Sequence, residues 1–225
     1  MKEKSSTIEK QCNEIGWELN VLKARYLGNK VWYENGITYS NPEELIMDRL
    51  RGEGFSCSWC EGGSINLLIK ASALEILAKL NMFNSREYAI SGYLEGQLTV
   101  LNDHKAEILA GIKDISVAKL EENIHEISKN SSIRQFYPNV TESFLQSLSH
   151  YIDLNFIARI AELFFNKPYK YRAGWPDIIT LKNNYISFIE VKTTDLLHES
   201  QLLFASEIAK PLQLNCKVLR LMQLK

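Results

Sequence analysis

The chain has 225 residues, 45% of them apolar and 24% charged, enough for one well-buried domain with an appended lobe. Its formal net charge of −1 excludes a global attraction to polyanions, so any such contact must be local; from Tyr151 to Lys225, ten Lys/Arg stand against seven Asp/Glu. The opening MKEKSSTIEK has no apolar signal region and no run approaches ~18 apolar residues, so a membrane span is excluded and a soluble cytoplasmic protein is expected.

In chain order, Ile15 to Tyr26 reads as a helix and Lys30 to Tyr39 as a short hairpin around Asn35-Gly36. Ser40-Asn41-Pro42-Glu43-Glu44 is a helix start: a capping residue, a proline at the first helical position and two acids at the positive end of the dipole. That helix ends near Gly52 or Gly54. Phe55 to Trp59 reads as a strand, Glu61-Gly62-Gly63-Ser64 as a loop, and Ile65 to Leu80 as a second helix. Ser85 to about Val140 is mostly helical, and Glu142 to Asn166 reads as one long helix with a wide apolar face.

After Lys167-Pro168 the period changes. Asp177 to Leu181 and Tyr185 to Val191 read as strands joined by Lys182-Asn183-Asn184, followed by a helix from Glu199 to about Leu212 and a final strand from Cys216 to Leu224. The order predicts an α/β domain over residues 41–225, a small mixed sheet flanked by helices, with a helical insert at about 81–140. Residues 1–40 are set apart as an N-terminal segment without an assigned role. The four cysteines form no disulfide framework, and the Cys57-x-x-Cys60 pair has no second pair at zinc spacing, so reduced thiols are expected.

The densest chemistry lies in Gly174-Trp175-Pro176-Asp177, followed after twelve residues by Glu190-Val191-Lys192. Side chains alternate along a strand, so Glu190 and Lys192 share a face, and pairing of the two strands would bring Asp177 beside them. Two carboxylates with open coordination positions suit Mg²⁺, which keeps waters and takes substrate phosphates. Such a patch can cleave phosphodiesters.

Asp-x(12)-Glu-x-Lys after Gly-x-Pro resembles the PD-(D/E)xK nuclease superfamily. The longer string Arg172-Ala-Gly-Trp-Pro-Asp177, Phe188-Ile-Glu190-Val-Lys192, Asp195 and Gln201 is similar to its VRR-NUC branch. Upstream, Pro42-Glu43-Glu44-Leu45, Gly54-Phe55 and Glu61-Gly62-Gly63-Ser64 resemble the start of the nuclease domain in Fanconi-anaemia-associated nucleases. The resemblance implies a restriction-endonuclease-like core and a Mg²⁺- or Mn²⁺-dependent nuclease acting on flapped, branched or free-ended DNA, in DNA repair or processing. In a bacterium it would be nucleoid-associated. Asp177, Glu190, the Val191 carbonyl and Glu43 would hold metal. Lys192 would position or deprotonate the attacking water, Gln201 would hydrogen-bond the cluster, and Arg172 would contact DNA. The helical insert implies a monomer rather than the homodimer of minimal relatives. Thr193-Thr194 replaces the family's Gly-Pro and His198 its serine, which bears on substrate preference.

Rival readings are plain. Glu-Val-Lys also suits an exposed edge strand, and the intact fold could serve as a nucleic-acid-binding module without chemistry, or cut junctions or RNA. Glu44 competes with Glu43 as an acid in a first helical turn. Glu61 could reach the site or serve its glycine-rich turn, the latter favoured. Trp59 and Trp175 could stack on bases but fit a core better.

Overall fold

The computed structural model describes residues 7–224; residues 1–6 of the polar opening stretch lie outside the described residues, as does residue 225. In chain order the elements are α1 (Ile8–Ile15), β1 (Glu18–Gly28), β2 (Val31–Glu34), β3 (Ile37–Tyr39), α2 (Pro42–Gly52) and β4 (Ser56–Trp59). The helices α3 (Gly63–Leu80), α4 (Arg86–Ser91), α5 (Leu94–Val100), α6 (Lys105–Asp114), α7 (Val117–Lys129), α8 (Ser131–Phe136), α9 (Glu142–Tyr151) and α10 (Leu154–Asn166) follow. Then come β5 (Ile178–Lys182), β6 (Tyr185–Lys192), α11 (Glu199–Phe204), a π-helical segment over Ala205–Ala209, α12 (Lys210–Leu212) and β7 (Cys216–Gln223).

The described residues divide into two compact units, one of residues 7–61 and 174–224, the other of residues 62–173. The first unit is α/β, built on a mixed seven-stranded sheet in the order β3-β2-β1-β7-β6-β5-β4. β1 and β6 both run parallel to β7, and the other pairs are antiparallel. One sheet face closes on α2: Leu45, Ile46, Met47 and Leu50 pack with Ala24, Trp32, Ile178, Ile189, Val191, Leu219 and Leu221. These β-branched and long aliphatic side chains suit a pleated surface covered by a helix. Against the other face, Trp175 meets Phe204 at 4.7 Å and Phe188 at 6.2 Å between ring centroids.

The second unit is helical. Its α3 is apolar almost all round and buried from Gly63 to Leu74, as the central helix of a bundle must be. Arg86 of α4 ties it together by binding Glu75, Glu126 and Asn123.

Two expectations are corrected. Ile15 to Tyr26 is not a helix: α1 ends at Ile15, Gly16 caps it with φ 74°, and the next residues are β1, drawn into a parallel ladder with β7. The single helix over Glu142–Asn166 is two, because the Asp153 carboxylate accepts the Phe156 N–H at 2.8 Å and starts a new one. The helix expected from Glu199 to about Leu212 keeps those bounds, with a π-turn inside it at Ala205–Ala209. The hairpin around Asn35-Gly36 forms as expected, with φ of 48° and 86° and Glu34 opposite Ile37.

Among the described residues no helix is long and apolar enough to cross a membrane.

Candidate active site

The site residues come from α2, β5, β6 and α11, all within the sheet unit. At the α2 start, Asn41 accepts the Glu44 N–H at 2.8 Å while Glu44 Oε2 accepts from Ser40 N and Oγ at 3.1 and 2.8 Å. These bonds hold the Glu44 carboxyl below its usual range and engage it in the cap. Glu43 is left for another task. Burial raises its pKa, and the charges of Asp177, Glu61 and Glu44 add to the effect, so its carboxyl stands in the same acidic field as Asp177.

Asp177 ends the turn that leads into β5. Gly174 in that turn has φ 90°, and a Cβ there would meet the Ser200 carbonyl oxygen at 2.1 Å, so only glycine lets the loop cross the start of α11. The Asp177 carbonyl accepts the Cys60 N–H at 3.0 Å, anchoring the loop after β4. Its side chain accepts the Val191 N–H at 2.7 Å through Oδ2. Burial and then the Glu190 charge push the Asp177 carboxyl up to about 7. The last β5–β6 pair is Ile178 with Ile189. A strand residue turns its N–H and C=O to the same edge, so the Val191 carbonyl points beyond the end of the β5 ladder, toward Asp177.

Glu190 and Lys192 lie two apart on β6 and are 1% and 7% exposed. Glu190 Oε1 accepts from Lys192 Nζ at 2.8 Å and from Gln201 Nε2 at 2.6 Å. Gln201 Oε1 in turn accepts the His198 N–H at 2.9 Å, which fixes the amide's orientation and makes His198 the cap of α11. Among the described residues, Glu190 Oε2 is buried with no hydrogen-bond partner. Burial raises the Glu190 carboxyl, against the opposing pull of Lys192, of Gln201 and of the neighbouring Asp177 carboxyl, which can donate to it only when protonated. A buried anionic oxygen without a partner is costly, and a hard cation would offset that cost.

The donor set thus offers two carboxylates, a strand-end carbonyl and a third acid, Glu43, at the edge of the same field. No three His, Cys, Asp or Glu side chains among the described residues already enclose a metal position. Such an open, oxygen-only arrangement fits an ion that keeps several waters, as Mg²⁺ does.

One contributor escaped the sequence reading. Gln11 of α1 donates Nε2 to the Leu197 carbonyl at 3.2 Å and accepts the Leu197 N–H at 2.8 Å, clasping the loop after Lys192. Glu61 has left-handed backbone, φ 44°, and its charge also raises Glu43 and Asp177, so it serves its turn while facing the acids. No local signal in the sequence could have paired Gln11 with Leu197, 186 residues away. Trp175, 2% exposed, and Trp59, packed against the α2 core, are core residues. Arg172 belongs to the helical unit, where its guanidinium lies 5.7 Å from the Tyr93 ring centroid and 3.9 Å from Glu95 Oε1. None of the four cysteines is joined in a disulfide; Cys57 Sγ lies 3.7 Å from the Met47 carbonyl, and burial raises the Cys216 thiol.

Fold and site together describe an α/β protein with a buried acid–lysine cluster at the end of a central strand. Against known proteins, no family model matches the chain, and no curated protein matches it. Solved structures do. The chain is similar to paFAN1 bound to DNA with a 2-nucleotide 5′ flap and a gap, at TM-score 0.63 and 14% identity, over 100% of this chain and 40% of that one. It is similar also to paFAN1 bound to 1-nucleotide 5′-flap DNA with a gap, at TM-score 0.55 and 14% identity, over 92% of this chain and 38% of that one. At that identity what is shared is the fold, and the chain spans about two fifths of the length of the protein it matches.

Proposed function

We propose that this protein is a divalent-metal-dependent DNA nuclease with a restriction-endonuclease-like core, hydrolysing phosphodiester bonds at flaps, branches or ends during DNA repair or processing. The observation that carries the reading is the gathering of Asp177, Glu190 and Lys192 at the end of β6, with one buried Glu190 oxygen left unpartnered. Asp177, Glu190, the Val191 carbonyl and Glu43 are the groups that would hold Mg²⁺ or Mn²⁺. Bound there, the ion would supply charge stabilisation at the phosphate and a more acidic water.

The chain's own residues do the rest. Lys192 has three N–H donors and gives one to Glu190, which leaves two to orient the attacking water and to offset charge building on the scissile phosphate. Gln201 holds Glu190 in one rotamer, so that the carboxylate need not reorganise during the reaction. Arg172 is read as a phosphate contact on the helical unit. The preference for flaps is supported by the fold shared with paFAN1, whose structures hold 5′-flap DNA.

The test is a panel of fluorescent single-strand, duplex, 5′-flap, Holliday-junction and RNA substrates, with Mg²⁺, Mn²⁺ or chelator. Metal-dependent cutting of flap DNA is expected. Retention of substrate without cutting in either metal would make the fold a binding module instead, and cutting confined to junctions or RNA would move the substrate class.

A further inference from the structure

The sheet face that bears Glu190 and Lys192 extends well past them. Residues in register on adjacent strands project from the same face. Lys192 of β6 is in register with Arg220 of β7, and Arg220 with Val21 of β1. Two and four residues along β1, Lys23 and Arg25 project the same way, and Arg25 is in register with Tyr33 of β2, itself opposite Thr38 of β3. The other face of these strands is closed by Ala24, Trp32 and Tyr39 packing toward α2.

The near face is open. Val21 is 50% and Met222 40% exposed, and Lys23, Arg25 and Thr38 are exposed as well. The charged residues that β1, β2, β3 and β7 place on this face are all cations, while Glu9 of α1 reaches it from outside these strands. Glu34, the acid on β2, is turned to the other face, where Arg49 binds it. Among the described residues Lys23 and Arg25 make no ion pair; Arg25 instead lies 5.8 Å from the Tyr33 ring centroid. Arg220 donates Nε to the Thr193 carbonyl at 3.2 Å, just after Lys192, and reaches Glu9 at 3.4 Å. A chain of net charge −1 therefore gathers three cations on one open face beside its buried acid–lysine cluster.

We propose that this face, formed by β1, β2 and β3 with β7, is the track for the DNA strand leading to the candidate active site, with Lys23, Arg25 and Arg220 on its phosphates and Tyr33 against a sugar or base. The inference rests on the nuclease reading above and gives the N-terminal strands a task. With strands about 4.8 Å apart and about 3.4 Å per residue, Arg25 stands roughly 16 Å from Lys192, on the order of five nucleotide steps at about 3.4 Å each. The opposed signs of the face and the phosphate backbone supply the affinity, which must then depend on salt.

The experiment is a set of fluorescence-polarisation titrations of the protein with labelled 5′-flap DNA in chelator, repeated over a range of salt. The double variant Lys23→Gln/Arg25→Gln should bind more weakly, with the slope of log affinity against log salt reduced by about 2. Thr38→Lys adds a cation to the same face and should bind more tightly, with the slope steeper by about 1; it keeps the test decisive if the double variant does not fold. Both variants should hydrolyse bis(4-nitrophenyl) phosphate, a diester too small to reach the track, at the wild-type rate in Mn²⁺. Wild-type slopes and affinities in both variants would overturn the track and leave the nuclease reading standing. A wild-type protein that neither binds the flap nor hydrolyses any diester would sink both.

Discussion

The sheet unit and the helical unit each bury a lysine within reach of a glutamate, and they use the pair in opposite ways. In the helical unit Lys70 is 4% exposed, and burial pushes its ammonium down to about 8 while Glu95 favours the charged form. Its Nζ donates to the Ile90 carbonyl at 2.6 Å and also to the Gly92 carbonyl, at the C-terminal end of α4 where helix carbonyls want a cation. That lysine is consumed by the architecture. In the sheet unit Lys192 and Glu190 bind each other, yet Glu190 retains a buried oxygen with no partner. Burial of charge is common to both, so burial alone marks no site. What sets Glu190 apart is an unspent bond on a carboxylate; the other such buried atoms among the described residues, on Asn66, Gln97 and Ser128, belong to uncharged groups.

The largest effect should separate the two lysines. Lys192→Ala is expected to lower single-turnover cleavage of flap DNA by ~10²-fold or more while the DNA is still retained, the range seen when a positioned proton-transfer or charge-stabilising group is lost. Undiminished turnover would remove Lys192 from the chemistry. Next in size is Gly174→Ala, whose Cβ cannot coexist with the Ser200 carbonyl and whose φ of 90° disfavours any side chain. A loss of about 3 kcal/mol in urea unfolding is expected, with Gln201 displaced and activity reduced. A wild-type unfolding curve would show that the turn does not need its glycine.

Lys70→Met keeps the aliphatic stem and removes the donors. It should cost about 2 kcal/mol by taking the side-chain donor from the Ile90 carbonyl, while the Gly92 carbonyl keeps Gln97 Nε2 at 2.9 Å, with the cleavage rate of the folded protein unchanged. A fall in that rate without a fall in stability would give the helical unit a part in the chemistry.

The smallest effect concerns pH. Asp177 is raised from 3.8 to about 7, so the folded state holds its proton more tightly than the unfolded chain does. The stability that comes with the neutral form is complete below about pH 3.8 and is lost as pH rises through about 7. Metal-free protein should therefore melt at progressively lower temperature across that window. Glu190→Gln removes the repulsion between the two acids, so it should flatten the trend and raise the metal-free melting point at neutral pH by a few degrees, about 3 °C per kcal/mol. It should also abolish the upward shift that Mg²⁺ gives the wild type; an undiminished shift would take Glu190 out of the metal's reach.

Much of the sheet unit was legible because its signals are local. Asn41-Pro42 announces the start of α2, Asn35-Gly36 its hairpin, and Gly174-x-Pro-Asp177 with Glu190-x-Lys192 the paired strands, each within a few residues. The reading failed where a distant partner overruled the local pattern. Leu19, Leu22 and Tyr26 recur at helical spacing, yet the segment is β1 because β7, some 200 residues on, offers it a ladder. Asp153 reads as one more polar residue in a helical run until its carboxylate is seen capping Phe156.

The sequence by itself determined which side chains share a strand face and which acids stand at a helix start, because strand and helix periodicity are properties of the backbone alone. Only the tertiary structure decided that Glu44 is engaged in its cap while Glu43 faces Asp177, that Gln11 clasps the loop after Lys192, and that β1 to β3 join the sheet beside the acid–lysine cluster. Those choices depend on contacts between residues far apart in the chain, where burial and hydrogen bonding favour one of several locally acceptable partners.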